Sequence, residues 1–353
     1  MRVFAGIDIG GTNTKGGIFS EDGTLLFRWE FPTDKKSGEK AVLREIAAWI
    51  KEAADNAPRT SLRRNRLAGI GVAVPGPVID ESVVDGLVNI GWGRVNVKEE
   101  LGALTYLDNI RVINDANAAA LGEMWKGSGA GHSNIVAVTL GTGVGGGLII
   151  DGEIVKGAFG AAGEIGHMTV NAAETKKCNC GKKGCLEQYA SATGIVNAAK
   201  ELIAARELTQ TPDTDTVLTR TPDTDTALTR MPETEPVPAG ASETGTVLSG
   251  AFTAKDVFEA AKKKDPVAAE ATERAFRYLG MALANVAAAV DPELFIIGGG
   301  VSNAGDILLD GIRKYYREYA FRASIDTEIV RASLGGDAGM YGAAKLALMS
   351  EVP

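Results

Sequence analysis

Two stretches of this chain repeat each other. A shift of 130 residues brings Gly11-Thr12 onto Gly141-Thr142, Gly16-Gly17 onto Gly146-Gly147 and Ile18-Phe19 onto Leu148-Ile149, and an Asp-Gly turn follows in both copies. The first copy, VFAGIDIG, KGGIFS and TLLFRWEFP, reads as three short strands joined by turns. Two similar βββ openings imply two related α/β domains, each closed by helices further along.

The rest of the pattern fits. Residues 38–56 carry helical apolar spacing, LAGIGVAV and RVIN read as strands, and RVIN runs into the helix ANAAALGEMW. Helices are expected at 191–206, 254–263, 266–289, 303–322 and 338–350, with the strand LFII at 294–297 between two of them. The last helix is expected to pack back on the first domain.

Residues 211–250 break the pattern as four blocks of ten: TPDTDTVLTR, TPDTDTALTR, MPETEPVPAG and ASETGTVLSG. Their seven acids and two arginines give a net −5 out of the chain's −8. With so few apolar side chains the stretch reads as a solvated, disordered insertion, a surface loop whose loss leaves activity intact.

Charge narrows the partners. A net −8 without a lysine- or arginine-rich run gives no reason to expect nucleic acid or an anionic membrane. No segment reaches the roughly 18 apolar residues of a membrane span, and MRVFAGIDIGG lacks the basic start of a leader, so a cytoplasmic protein acting on small molecules is expected. Forty-four glycines against twelve prolines point to tight turns and close backbone approaches, which we expect to mark function.

GTGVGG at 141–146 fits GxGxxG, but it leads into a strand, whereas a dinucleotide turn must open a helix. The two glycine-threonine turns instead offer backbone N–H groups and a hydroxyl to phosphate oxygens, and two such hairpins across a cleft could grip one triphosphate. Asp8, at the end of the first strand, is placed either to hold magnesium against nucleotide phosphates or to stabilise a turn. Asp115 stands at a strand-to-helix junction, as a general base for a substrate hydroxyl or as the helix N-cap.

All three cysteines and one of two histidines fall between 167 and 185. An odd count argues against a disulfide framework. The spacing H-x10-C-x-C-x4-C in His167, Cys178, Cys180 and Cys185 gives four ligands able to close a tetrahedral zinc site, the alternative being three free thiols around a core histidine. His132 reads as a surface residue.

Taken together, DIGGTNTKGG, VAVPGPV, NIGW, INDANAAALGE, LGTGVGGGLIIDG, AGEIGHM, CNCGKKGCLEQYAS and FIIGGGVS resemble the ROK family of sugar kinases, most nearly its bacterial ATP-dependent glucokinases. The resemblance runs from residue 1 to about 206 and resumes near 252. It implies the α/β, actin-like ATPase (ribonuclease H-like) fold. A smaller domain would span 1–114 plus about 337–353, and a larger one 115–336, closing on ATP and sugar between them.

It further implies Asp115 as the base that activates the sugar 6-hydroxyl. The sugar would be held by Asn114, Glu164, His167 and Glu187, by backbone near Gly76, and by Asn89. Phosphates would lie on Gly10, Gly11, Thr12, Gly141, Thr142 and Gly143, with magnesium at Asp8, and adenosine near Gly298, Gly299 and Gly300. Lys15 belongs to the first motif, with a structural role as open as a catalytic one. Zinc on His167, Cys178, Cys180 and Cys185 is a family feature, as is assembly into homodimers or homotetramers.

A transcription repressor of the same family would carry a helix-turn-helix before its sugar-binding part, and here a strand begins at residue 2. The implied activity is therefore a hexose 6-kinase acting on glucose. The alternatives are a kinase for another hexose, such as N-acetylmannosamine, N-acetylglucosamine or fructose, and a non-catalytic sugar-binding regulator.

Overall fold

The computed structural model describes residues 2–56, 66–87, 90–210 and 246–349. Strands β1 (Arg2–Ile9), β2 (Asn13–Ser20) and β3 (Leu25–Pro32) form an antiparallel meander, followed by helix α1 (Glu39–Asn56) and strand β4 (Arg66–Val74). A small three-stranded sheet, β5 (Val78–Ile79), β6 (Val83–Val84) and β7 (Val95–Asn96), leads into α2 (Val97–Thr105) and β8 (Ile110–Asn114). The first large sheet has the order β3-β2-β1-β4-β8, with β1, β4 and β8 parallel.

Helix α3 (Asp115–Lys126) crosses to the second half, where β9 (Ile135–Leu140), β10 (Val144–Ile150) and β11 (Glu153–Ile154) repeat the meander. After α4 (Glu187–Ala190), α5 (Ala192–Gln210), α6 (Ala254–Lys262) and α7 (Pro266–Val290) come β12 (Leu294–Gly298), α8 (Asp306–Tyr319), β13 (Glu328–Arg331) and finally α9 (Ala338–Met349). The second sheet, β11-β10-β9-β12-β13, has the order and strand directions of the first. The repeat read from sequence is thus a repeat of topology.

Each sheet is covered on both faces. Val3, Ala5 and Ile7 of β1 pack with Val42, Leu43 and Ile46 of α1, and Val136, Val138 and Leu140 of β9 pack against the layer of α5 and α7. Between the sheets lie α9 on the first and α3 on the second. This contact is built on missing side chains: a methyl on Gly6 or Gly71 would overlap α9 backbone, and one on Gly342 would overlap the Ala118 carbonyl of α3. Many glycines therefore serve close helix packing rather than ligand turns, a correction to the expectation that they mark function.

Further differences have local causes. The expected helix at 303–322 begins only at Asp306, because Gly305 at φ +78° separates it from a 3-10 turn over Gly300–Ala304, and it ends at Tyr319. The insertion read at 211–250 falls outside the described residues up to 245, but 246–250 belong to the fold. Leu248 is buried in the core, and Thr246 and Val247 hydrogen-bond to Asp265, the N-cap of α7. His132 is half-buried rather than on the surface. Among the described residues no helix is long and apolar enough to cross a membrane.

Candidate active site

The parallel strands of both sheets end at the same cleft, where open α/β sheets characteristically bind ligands. Asp8 is near the end of β1, Asn114 ends β8, Gly141–Gly143 follow β9, and Gly298–Gly300 follow β12. Asn89 lies outside the described residues.

The junction between β8 and α3 puts two polar groups side by side. The Asn114 side chain caps α3, accepting from the backbone N–H of Ala116 and Asn117 at 3.0 and 3.2 Å. Asn114, rather than Asp115, is thus the N-cap, which leaves Asp115 as the first helical residue. The Asn114 amide donates to the Gly76 carbonyl at 3.3 Å and so ties the loop after β4 to the junction. Burial raises the Asp115 carboxyl from the ordinary 3.8 to about 6; a hydrogen bond from Ala116 N–H works against this, and the charge of Glu164 adds to it. A carboxyl poised there is mostly ionised at neutral pH yet far more basic than a solvated one, as a general base for a hydroxyl needs to be.

Asp8 is a second perturbed carboxyl. Burial and then the charge of Asp115 push it up to about 7, and Lys15 pulls the other way. It sits against the first turn of α9, where a methyl on Gly339 would crowd its carboxylate. The Lys15 ammonium donates to the Gly336 carbonyl at 2.7 Å and lies 3.9 Å from Asp337, which Arg28 also pairs. The Gly10–Thr12 turn is closed by Gly10 N–H to the Asn13 carbonyl and braced by Thr33, whose hydroxyl donates to the Gly10 carbonyl at 2.8 Å.

The second turn is joined to the cysteine cluster through Glu187 at the start of α4. Its carboxylate accepts from Val144 N–H at 3.2 Å and lies 3.7 Å from Cys178 Sγ. A side chain at Gly143 would collide with that carboxylate, so glycine there makes room for the acid.

The ligand atoms of His167, Cys178, Cys180 and Cys185 all lie within 4.8 Å of one another. Cys178 Sγ to His167 Nδ1 is 3.8 Å and Cys180 Sγ to Cys185 Sγ is 3.6 Å. A tetrahedron with bonds of about 2.3 Å has edges of about 3.8 Å, which two of these separations match, so the four residues could hold a metal ion such as zinc. The thiols are free, which sets disulfide bonding aside. Lys177 and Lys183 bridge across the loop, the Cys178 N–H donates to the Lys182 carbonyl, and Gly181 and Gly184 take positive φ to turn it.

A cleft of about 560 Å³ opens beyond the second turn, lined by Gly141, Thr142, Lys255, Phe258, Gly300 and Asn303. Lys255, Phe258 and Asn303 were missed from sequence. Their only signal is position: α6 is an ordinary amphipathic helix opened by the Thr253–Asp256 capping box, and nothing in its composition marks the end facing Gly300. A second cavity, about 580 Å³, borders Asn114 on its other side, where Glu81 joins Arg111 to Lys156.

The ROK family model matches residues 4–350. A glucokinase of Halalkalibacterium halodurans is 39% identical over 99% of this chain and 96% of its own length. The crystal structure of a ROK family glucokinase from Streptomyces griseus, in complex with glucose and AMPPNP, superposes with a TM-score of 0.70 at 31% identity, covering 98% of this chain and 99% of that one. A ROK hexokinase from Thermus thermophilus superposes with a TM-score of 0.76 at 28% identity, over 99% and 98% of the two chains.

Proposed function

The chain belongs to the ROK family, and on that premise we propose that it transfers the γ-phosphoryl group of ATP to the 6-hydroxyl of D-glucose, releasing glucose 6-phosphate and ADP. The observation that carries the reading is the Asp115 carboxyl, buried at the junction of β8 and α3 where the charges of Asp8 and Glu164 also converge.

In this reading Asp115 accepts the proton of the 6-hydroxyl as that oxygen attacks the γ-phosphorus in line, a contribution of roughly 10²- to 10⁴-fold. Asn114, Glu164, His167 and Glu187, with the backbone at Gly76, hold the other sugar hydroxyls, and fixing that geometry supplies much of the remaining acceleration. Gly10–Thr12 and Gly141–Gly143 take the phosphates from opposite walls, and the cleft at Gly300 and Phe258 takes the adenosine.

Asp8 suits magnesium, because a divalent cation relieves a buried carboxylate that already faces a second negative charge. When bound, the ion neutralises charge between the β- and γ-phosphates. Zinc on His167, Cys178, Cys180 and Cys185 would be structural, holding the loop that carries Glu164 and His167 at one end and Glu187 at the other. With His167 Nδ1 turned to the thiol cluster, its other ring nitrogen is left to donate to a sugar hydroxyl.

A coupled ADP-release assay over glucose, mannose, fructose, N-acetylglucosamine and N-acetylmannosamine tests the reading. The highest kcat/KM is expected for glucose. A different preferred sugar would reassign the substrate, and turnover of none would remove the enzyme reading in favour of a sugar-binding regulator.

A further inference from the structure

The polypeptide passes between the two halves twice among the described residues: where β8 enters α3, and along 332–337 from β13 to α9. The second crossover is clamped at both ends. Glu123, eight residues after Asp115 on α3, is only 2% exposed, and its carboxylate accepts from Ser128 N–H at 2.9 Å, Ser333 N–H at 3.1 Å, the Ser333 hydroxyl at 3.3 Å and Leu334 N–H at 2.8 Å. Gly127 leaves the space for it, since any side chain there would overlap the same carboxylate. Up to Leu334 the crossover is therefore part of α3 and of the second sheet on which α3 packs.

Two residues later it belongs to the other half. Lys15 of β2 donates to the Gly336 carbonyl at 2.7 Å, and Arg28 of β3 pairs with Asp337 at 3.1 Å. Between the clamps stands Gly335, at φ +56° and with nothing within 4 Å of where a side chain would begin. That backbone region favours glycine, and Gly335 opens a 3-10 turn over Gly335–Asp337, in which the Leu334 carbonyl accepts from Asp337 N–H at 3.2 Å and the Gly335 carbonyl from Ala338 N–H.

We propose that Glu123 is a positioning residue for the transfer: by binding Ser333 and Leu334 to the helix that bears Asp115, it confines the bending of this second crossover to the short turn that begins at Gly335. The inference rests on the phosphoryl-transfer reading above, in which Asp8 and the first phosphate turn must meet Asp115 and the second turn across the cleft. A loosened crossover spreads the rotation over several bonds, and the two halves then close on the substrates in many relative orientations rather than one. Glutamine at this position keeps one acceptor oxygen but presents N–H groups to backbone N–H donors, so it loses about half of the clamp.

The test compares Glu123→Gln with the native chain. Its kcat is expected to fall about 10- to 100-fold, the scale of a misplacement near 1 Å. KM for glucose and for ATP should each stay within about threefold, because the groups that contact them are untouched. Small-angle scattering should show that glucose and a non-hydrolysable ATP analogue compact the variant less than the native protein. An unchanged kcat in folded Glu123→Gln, or a rise in both KM values at constant kcat, overturns the proposal and leaves Glu123 a packing residue. If Glu123→Gln does not fold, Gly335→Ala carries the test: it stiffens that turn without touching the clamp, and must lower kcat at constant KM or the proposal fails. Glucose turnover by the native chain separates this outcome from failure of the kinase reading itself.

Discussion

Asp115→Asn should make the protein more stable and less active. The Asp115 carboxyl titrates near 6 rather than 3.8 because folding takes it out of water and sets it near Glu164. A displacement of that size, at roughly 1.4 kcal/mol per pH unit, sets an upper bound of about 3 kcal/mol on the cost of keeping it ionised. Partial hydration of the cleft, and the favourable place of an anion at a helix N-terminus, reduce the expected gain to about 1–2 kcal/mol. The sign follows from linkage. Below about pH 3 the carboxyl is protonated both folded and unfolded, and the cost is absent; it grows as pH rises through the ordinary 3.8, and becomes complete once pH passes about 6 and the folded state also gives up its proton. Asparagine keeps the oxygen that accepts from Ala116 N–H and never ionises. Thermal or urea unfolding of both proteins at pH 4.5 and pH 7.5 should therefore show the variant ahead at the lower pH by only roughly a third of its lead at the higher, because at pH 4.5 the unfolded carboxyl is already mostly ionised. Equal stability at both, or a less stable variant at pH 7.5, would refute the idea that this site holds a charge at the expense of the fold. Asp8 should respond as well, with its carboxyl falling below about 7 once the Asp115 charge is gone.

Other expectations follow from neighbouring groups. Glu164→Gln removes a charge that raises Asp115, so the acid limb of the kcat/KM profile, expected near pH 6, should move to lower pH. The KM for glucose should rise about tenfold through the lost hydroxyl contact; a limb that stays in place would separate Glu164 from the base. Cys180→Ser should lose zinc, measured by elemental analysis, and raise the glucose KM by about 10- to 100-fold while leaving the ATP KM within about twofold. Equal loss for both substrates, or for neither, would detach the zinc loop from the sugar site.

The parts of this molecule that could be read in the sequence are those with a local signature. The βββ repeat showed the meander that makes up three of the five strands in each large sheet, because turn glycines and alternating apolar residues fix a meander without help from distant chain. Four soft ligands within nineteen residues similarly announced the thiol cluster. What escaped depends on residues far apart. Gly6, Gly71 and Gly342 fall in segments read as two strands and a helix, and the reason for glycine there stays hidden until α9 is known to lie on the sheet and against α3. Lys15 sits in a phosphate motif, yet its partner is Gly336, 321 residues away. Glu123 is one more acid on a helix until its partners at 333 and 334 are in view. The strands β5, β6 and β7 are two residues long, too short for any period, although Asn96 followed by Glu99 and Glu100 does mark the start of α2.

The central claim is that Asp115 takes the proton from the hydroxyl that attacks ATP. It is tested most directly by measuring kcat and glucose affinity together for the native chain and Asp115→Asn at pH 7.5, with saturating magnesium ATP. The account predicts a kcat lower by about 10²- to 10⁴-fold, with the Kd for glucose changed by no more than a few fold. An Asp115→Asn protein that binds glucose normally and keeps more than about a tenth of native kcat would contradict it.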